Sequence, residues 1–375
     1  MTVPARQLAH PEVLVSTLRA RHLLLGLVVV LLGACGGGGA ATPSSTVDAS
    51  GGTTTTPAVA SPTVAASPEG ELDKLTVGLG YIPSVQFAPF YLAQQEGWYA
   101  EAGLEVEFQN KIDPDLITLV GQGAIDVGLG DGTSVIPAVS QGIPVRYLAT
   151  FYGRFPGVVF AKASSGITTA ADLAGRKIGT PGRYGSGWVM LQALLGSAGL
   201  SPEDVEIVEY PDFTQRIAVE QDAVDAATGF ANNEPVQLEL GGETAVILRI
   251  DDITPLPGPG LIAGVDTLER RSEAIAAFVT TTLRAMDEIA ADPELGLEAA
   301  IAAVPELASA REAQLAVLEA TIETWTGSHQ ASNGLGAVDR DGWAQSIEYL
   351  ESIGLVPNPV TVDDVVRDDL FRTGH

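Results

Sequence analysis

The chain is poor in the residues on which most enzymes and disulfide-stabilised proteins depend. Its 375 residues include one cysteine, Cys35, and four histidines, of which only His329 and His375 follow that cysteine. One cysteine cannot form an intramolecular disulfide, and a metal centre needs a cluster of histidine, cysteine or carboxylate ligands. No nucleophile, base and acid can be assembled around two distant histidines. The sequence therefore predicts a protein that is not an enzyme and holds no metal or cofactor.

Positive charge is also scarce. Lysine and arginine total 20, whereas aspartate and glutamate total 47, which gives a formal net charge of −27. Nucleic acids and anionic membrane surfaces would repel such a protein, so we expect neither as a partner. The acidic balance favours a neutral small molecule as the ligand.

An apolar run that begins at Leu23 leads into the sequence Leu-Gly-Ala-Cys at 32–35. Arginines precede the run and small residues end it, as in a secretory signal peptide, and the run is too short to span a bilayer. Its end resembles the lipobox of bacterial lipoproteins. That resemblance implies removal of residues 1–34 and a lipid on the sulfur of Cys35, which would anchor the protein on the extracytoplasmic face of the cell membrane. The alternative is an uncleaved anchor with an incidental cysteine.

Residues 36–70 consist mainly of Ala, Thr, Ser, Pro, Gly and Val and contain no aromatic side chain. A segment of this composition cannot bury a core. We therefore expect residues 35–70 to be the lipidated cysteine and a flexible linker, which would hold a folded domain close to the membrane.

From Leu72 onward, short apolar strands alternate with helical patterns, which predicts two α/β lobes, each a mainly parallel sheet flanked by helices. Beyond Asp266 the apolar residues recur at helical spacing. We expect the chain to cross between the lobes at 160–162 and at 255–260. Lobe 1 would then comprise residues 71–162 and 260–375, and lobe 2 residues 163–259, with a ligand cleft between them. The predicted strands are residues 75–79, 104–108, 125–129, 145–150, 177–179, 206–209, 225–227 and 245–249.

Several segments resemble a known family. They are YIPSVQFAPFYLA at 81–93, EGWY at 96–99, AGLEV at 102–106, GQGAIDVG at 121–128 and DLAGRKIG at 172–179. These segments are similar to periplasmic solute-binding proteins for thiamine-pyrimidine precursors, riboflavin, or taurine and alkanesulfonates.

The resemblance implies a type II periplasmic-binding-protein fold whose two lobes close on a small molecule. It also implies delivery of that molecule to the permease subunits of an ABC importer in the membrane. A related branch of the superfamily synthesises the thiamine pyrimidine with iron, but this chain has too few histidines and cysteines for such a site.

Open parallel sheets bind ligands beyond the carboxyl ends of their strands, where four segments of this sequence should meet. They are the turns at 81–87, 131–134 and 182–188, and the segment at 232–234. Together with Tyr152, which adds to the supply of aromatic rings, they provide the candidate ligand-binding residues. These are Tyr81, Gln86, Phe87, Asp131, Thr133, Ser134, Tyr152, Arg183, Tyr184, Trp188, Asn232 and Glu234.

Each segment also has a structural explanation. Asp131 suits the N-cap of a helix, and Glu234 suits a first helical turn. The turn at 182–188 has neither the GK[ST] ending nor the G-x-G-x-x-G order of nucleotide-binding loops. The two rings of that turn, Tyr184 and Trp188, favour a stacking surface beside the cleft.

The supply of rings favours a flat heteroaromatic ligand, because stacking adds to the free energy of burial. Among such vitamins we favour riboflavin, whose three fused rings would use the most aromatic surface. A thiamine pyrimidine precursor, formylaminopyrimidine or hydroxymethylpyrimidine, is the first alternative. An alkanesulfonate such as taurine is the second, since Arg154 and Arg183 could meet an anion.

Overall fold

The computed structural model describes residues 72–110 and 116–370. The predicted signal peptide (1–34), Cys35, the linker to residue 70 and His375 lie outside the described residues. The predictions about export, lipid attachment and tethering therefore remain predictions.

Strands of the described residues form two separate five-stranded sheets. In chain order they are β1 (Asp73–Gly78), β2 (Leu104–Gln109), β3 (Val127–Gly130), β4 (Val145–Thr150), β5 (Gly157–Lys162), β6 (Lys177–Thr180), β7 (Glu206–Glu209), β8 (Ala226–Phe230), β9 (Ala245–Arg249) and β10 (Gly260–Gly264).

The two sheets share one pattern of directions. The first has the order β2-β1-β3-β10-β4, with β1 parallel to β2 and β3, and β10 antiparallel to β3 and β4. The second has the order β7-β6-β8-β5-β9, with β6 parallel to β7 and β8, and β5 antiparallel to β8 and β9. In each sheet, four strands run one way and one opposes them, as expected for two mainly parallel lobes.

The first crossing between the sheets is not where the sequence patterns placed it. Residues 160–162 lie inside β5, which is buried along its whole length between β8 and β9. An apolar strand buried on both faces has no alternation to mark it, and β5 directly follows Pro156. The first crossing is therefore residues 151–156, and the second is residues 250–259, which include most of the predicted 255–260.

The two crossings lie side by side. The N–H groups of Phe151 and Tyr152 both donate to the carbonyl of Pro259, at 3.0 and 2.8 Å, and the hydroxyl of Tyr147 donates to the carbonyl of Gly258 at 3.0 Å. A Cβ atom at Gly258 would lie 2.3 Å from the carbonyl oxygen of Tyr152. Glycine is therefore required for this close approach of the two segments.

Helices cover the two sheets and form the C-terminal third of the chain. They are α1 (Ala88–Gln95), α2 (Trp98–Glu101), α3 (Leu116–Gly121), α4 (Gly132–Ser140), α5 (Gly185–Ser197), α6 (Gln215–Glu220), α7 (Glu234–Leu240), α8 (Val265–Ala291), α9 (Pro293–Ala303), α10 (Arg311–Trp325), α11 (Ser328–Asn333), α12 (Arg340–Ser352) and α13 (Val362–Val365).

The long helix α8 buries the face that its sequence pattern predicts. Ile275, Phe278, Met286 and Ile289 are fully buried, whereas Leu283 is half-buried. The helix packs against α1 and α9. In that interface the ring of Phe90 stacks on those of Phe151 and Phe278, with centroid distances of 5.2 and 6.2 Å, which ties the C-terminal helices to the first sheet.

Within residues 72–110 and 116–370, none of the helices is both long enough and apolar enough to cross a bilayer.

Candidate ligand-binding site

A cavity of about 280 Å³ is lined by residues from both lobes. Its wall includes the residues that follow β1 and β3 in the first sheet and β6 and β8 in the second. In each sheet these strands run in the same direction, so the residues that follow them meet at one edge of the sheet. Open α/β sheets bind ligands at this edge, beyond the carboxyl ends of their strands.

Nine of the twelve candidate residues line this cavity, and three do not. The nine are Tyr81, Gln86, Phe87, Asp131, Ser134, Tyr152, Tyr184, Trp188 and Glu234. The other three, Thr133, Arg183 and Asn232, lie behind or beside the wall and contact residues that belong to it.

Asp131 is the N-cap of α4 and also part of the wall. Its Oδ1 accepts the N–H of Ser134 at 3.0 Å and the hydroxyl of Thr133 at 2.7 Å, while Ser134 Oγ accepts the N–H of Asp131 at 3.0 Å. Burial raises the pKa of the Asp131 carboxyl, and hydrogen bonds from Thr133, Ser186 and Ser134 oppose this rise. Ser186 belongs to the second lobe and lines the same cavity as Asp131. Thr133 supports Asp131 from behind instead of facing a ligand.

Gln86 and Asn232 join the lobes behind the cavity. Asn232 is buried, and its Nδ2 donates to Gln86 Oε1 at 2.9 Å and to Thr321 Oγ1 on α10 at 2.8 Å. The Gln86 Nε2 in turn donates to Ser84 Oγ at 3.2 Å. These amides connect the two lobes, and Gln86 also lines the cavity. That they bind ligand remains a prediction.

Glu234 begins α7 and folds back over the end of β8. Its Oε2 accepts the N–H of Phe230 at 2.8 Å. Burial raises the pKa of the carboxyl, and the N–H groups of Phe230 and Glu234 together with the charge of Arg216 oppose the rise. A buried carboxylate is costly unless it is compensated. The N–H of Phe230 compensates part of this cost, and Glu234 also lines the cavity.

Tyr184 and Trp188 stand at the start of α5, and both line the cavity. Tyr184 remains 41% exposed and Trp188 is half-buried. The Arg183 guanidinium lies 5.4 Å from the ring centroid of Trp188, and its Nε donates to Glu209 Oε1 at 3.2 Å. Arg183 is thus paired on the surface, outside the cavity wall.

Phe87 and Tyr152 bring the core of the first lobe to the cavity. Both are buried, and their rings contact Phe90 and Phe151 at centroid distances of 6.4 and 5.4 Å. Burial raises the pKa of the Tyr152 phenol. The phenol therefore stays neutral and provides an apolar wall with one polar tip.

Phe213 is a wall residue that the sequence reasoning missed. Its ring meets that of Tyr81, from the other lobe, edge-on at a centroid distance of 5.0 Å and an interplanar angle of 84°. The signal was available, because Phe213 is an aromatic residue four positions beyond the end of β7, as Tyr81 is just beyond β1. Asn233, which lies in the predicted segment at 232–234 but is not among the twelve candidates, donates from Nδ2 to the Tyr81 hydroxyl at 3.5 Å.

The described part of the cavity wall is rich in aromatic side chains, and its ionisable side chains are acidic. Among the described residues, those that line the cavity include two carboxylic acids, Asp131 and Glu234, but no lysine, arginine or histidine. Arg154, the other cation considered for an anionic ligand, instead donates from Nε to Asp251 at 3.3 Å. Across residues 72–110 and 116–370, no group of three or more histidine, cysteine or carboxylate side chains is placed to hold a metal ion.

Comparisons with known proteins agree with this architecture. The riboflavin-binding protein RibY of Chloroflexus aurantiacus is 33% identical over 321 residues, which are 84% of this chain and 91% of that protein. The formylaminopyrimidine-binding protein of Halalkalibacterium halodurans is 26% identical over 80% of this chain and 92% of its own. A 4-amino-5-hydroxymethyl-2-methylpyrimidine phosphate synthase of Legionella pneumophila is 29% identical over 62% of this chain and 75% of its own.

Among solved structures, the alkanesulfonate-binding protein SsuA from Xanthomonas axonopodis pv. citri, bound to MOPS, has a TM-score of 0.62. The match covers 80% of this chain and 99% of that one at 18% identity, so it bears on the fold alone.

Two mainly parallel sheets, joined by two adjacent crossings and sharing one cavity at their strand ends, define a solute-binding protein of the two-lobe periplasmic-binding-protein fold. Residues 84–295 match the NMT1/THI5-like family, and the chain belongs to that family.

Proposed function

We propose that this protein captures a flat, uncharged heteroaromatic vitamin outside the cytoplasm, with riboflavin favoured, and delivers it to the permease of an ABC importer. The observation that carries the proposal is the cavity wall, which combines rings from both lobes with two buried acids and, among the residues that the structure describes, no lysine, arginine or histidine. Rings stack on flat solutes through dispersion and quadrupole interactions worth about 0.5–1.5 kcal/mol per pair beyond burial. The RibY relative supports the choice of riboflavin.

The two acidic residues of the cavity wall favour an uncharged ligand that carries hydrogen-bond donors. Asp131 and Glu234 both line the cavity, and burial raises the pKa of each. A sulfonate would bring a further negative charge against these groups, and the described residues of the wall offer no cation to meet it. An N–H or hydroxyl of the ligand would instead add a donor to the ones these carboxyl groups already have from Thr133, Ser134 and Phe230. Riboflavin carries one ring N–H and a hydroxylated side chain, so it suits both acids.

A pyrimidine precursor of thiamine is the second candidate, and the cavity volume favours it. Small-molecule pockets usually measure about 300–1,000 Å³, so a cavity of about 280 Å³ suits a small ligand. The formylaminopyrimidine-binding relative supports this alternative.

Binding, and not synthesis, is the activity we propose. RibY, which matches 84% of this chain, is a binding protein, whereas the synthase of Legionella pneumophila matches 62%. The polar groups of the wall are engaged in helix capping and cross-lobe bonds, as Asp131 is with Ser134. They are suited to hold a solute in place.

The test is a thermal-shift panel with riboflavin, formylaminopyrimidine, hydroxymethylpyrimidine and taurine. A ligand at 100 times its dissociation constant adds about 2.7 kcal/mol to the free energy of unfolding, which raises the melting temperature by several degrees in a protein of this size. Riboflavin should give the largest shift. A shift with taurine alone would overturn the argument from the wall, and a shift with a pyrimidine alone would transfer the function to the second candidate.

A further inference from the structure

Phe213 has a backbone conformation that phenylalanine rarely adopts. Its φ angle is 59°, in the left-handed region, where the Cβ of a bulky residue crowds the backbone. The surrounding loop holds it there. The N–H of Phe213 donates to the carbonyl of Tyr210 at 2.9 Å, and the Asp212 carboxylate accepts the hydroxyl of Thr214 at 2.7 Å, immediately before α6 begins.

The strained backbone directs the ring across the cleft. Phe213 belongs to the second lobe and Tyr81 to the first, and their rings meet edge-on at 5.0 Å. Within the described residues, this is the one ring pair whose members come from different lobes. Tyr81 is further held by Asn233 of the second lobe. Both rings of the pair line the cavity.

We infer that Phe213 and Tyr81 form a clasp between the lobes, and that this clasp sets how long a bound solute is retained. The inference rests on the proposed function, because it assigns a kinetic role to one part of the same cavity. A strained backbone conformation persists when the surrounding structure stabilises it. At Phe213, the ring contact with Tyr81 is an interaction that this conformation makes possible. The contact exists only when the lobes are together, so it opposes opening without contributing to the first encounter with solute.

Removal of the ring should therefore act on dissociation. Phe213→Ala and Phe213→Gly should each raise the riboflavin dissociation rate about tenfold and change the association rate less than twofold. The two variants separate the ring from the backbone, because glycine enters the left-handed region freely whereas alanine does not. Phe213→Gly should consequently melt at a higher temperature than Phe213→Ala, although both lack the ring.

Asp222 provides a matched control. It is the other non-glycine residue with a left-handed backbone in the described part of the chain, at a φ of 57°, and it does not line the cavity. Asp222→Gly relieves a similar backbone conformation without removing a ring, although it also removes the ion pair of Asp222 with Lys162. It therefore serves as a control for the riboflavin dissociation rate, which should stay within twofold of the wild-type rate, and not for the melting temperature.

The experiment measures riboflavin association and dissociation by stopped-flow fluorescence, and melting temperature, for the full chain and the three variants. Dissociation that stays within twofold of wild type in both Phe213 variants, or that accelerates equally in Asp222→Gly, overturns the clasp. If the wild-type protein binds no riboflavin, the proposed ligand fails, and the clasp is then tested without ligand. Hydrogen exchange of residues 80–87 should be faster in Phe213→Ala than in wild type and unchanged in Asp222→Gly; equal exchange in all three proteins rejects the clasp.

Discussion

The side chain of Asn232 joins the two lobes, because its Nδ2 donates both to Gln86 Oε1 at 2.9 Å and to Thr321 Oγ1 at 2.8 Å. Asn232 follows β8 in the second sheet, whereas Gln86 precedes α1 and Thr321 lies on α10. All three side chains are buried. Such a bond exists only when the lobes are together, so its strength enters the free energy of the closed form and hence the affinity for any solute that needs that form.

Replacement of Asn232 by alanine should therefore weaken solute binding. It leaves Gln86 Oε1 without its partner, whereas the Thr321 hydroxyl still donates to the carbonyl of Val317 at 2.7 Å. A buried acceptor without a partner costs about 1–3 kcal/mol in the closed form, which corresponds to a dissociation constant roughly 5–150 times larger. Equilibrium titration measures the effect. Asn333→Ala is the matched control, since the exposed Asn333 only bonds within its own helix. Equal affinity in the wild type and Asn232→Ala would show that the bond does not contribute to closure.

Two tryptophans provide a matched test of the aromatic wall. Trp188 and Trp98 are both half-buried, and each has an arginine guanidinium over its ring, at 5.4 and 3.8 Å respectively, but only Trp188 lines the cavity. Trp188→Leu should weaken riboflavin binding by about 0.5–1.5 kcal/mol through lost stacking. Trp98→Leu should not change it. Equal losses in the two variants would contradict a specific role for the wall.

Glu234 predicts a pH dependence of stability. Burial raises the pKa of this carboxyl in the folded state, so the protonated form favours folding. This contribution is fully present below the unfolded-state pKa and is lost as the pH rises through the raised folded-state value. Relative to Glu234→Gln, the wild-type free energy of unfolding should therefore fall as the pH rises from about 4 to 8.

Chemical denaturation of both proteins at each pH measures this difference, and the other acids cancel because they are common to both. Glu239→Gln changes an exposed residue on the same helix. Its free energy of unfolding should differ from the wild-type value by the same amount at every pH. A difference between wild type and Glu234→Gln that does not vary with pH would refute the role assigned to burial.

The N-terminal prediction is tested in cells. Cys35→Ala removes the sulfur to which the lipobox resemblance assigns a lipid, so the protein should leave the membrane fraction or remain unprocessed at its N-terminus. Fractionation and the mass of the chain provide the measurement. Ser44→Ala, in the same low-complexity segment, should behave as the wild type does. Unchanged partition and mass for Cys35→Ala would favour the uncleaved anchor.

Local patterns predicted most of the fold, because alternating strands and helices have distinct periods. The two strands that the patterns missed, β5 and β10, are the antiparallel ones that receive the chain after each crossing. β5 is buried along its length, and β10 is a short segment that begins and ends with glycine. Neither strand alternates between apolar and polar residues, so neither has the pattern from which a strand could be recognised. Their antiparallel direction depends on how the two sheets are arranged in the folded protein.

The site was predictable to the extent that strand ends determine it. Asp131, Tyr184 and Glu234 reach the cavity because each lies just beyond a strand or at a helix start. The sequence could not reveal that Asn232 bonds across the cleft, because that contact joins residues 146 positions apart in the chain. Phe213 was missed for a related reason, since its partner Tyr81 lies in the other lobe.

The central claim is that the cavity holds one flat, uncharged heteroaromatic molecule between the lobes. Titration of riboflavin fluorescence with the purified protein tests it most directly, because stacking on aromatic side chains quenches the flavin. The account predicts quenching that saturates at one riboflavin per chain and no recovery of fluorescence when taurine is added. Fluorescence that is unchanged at all protein concentrations, or that taurine restores, would contradict it.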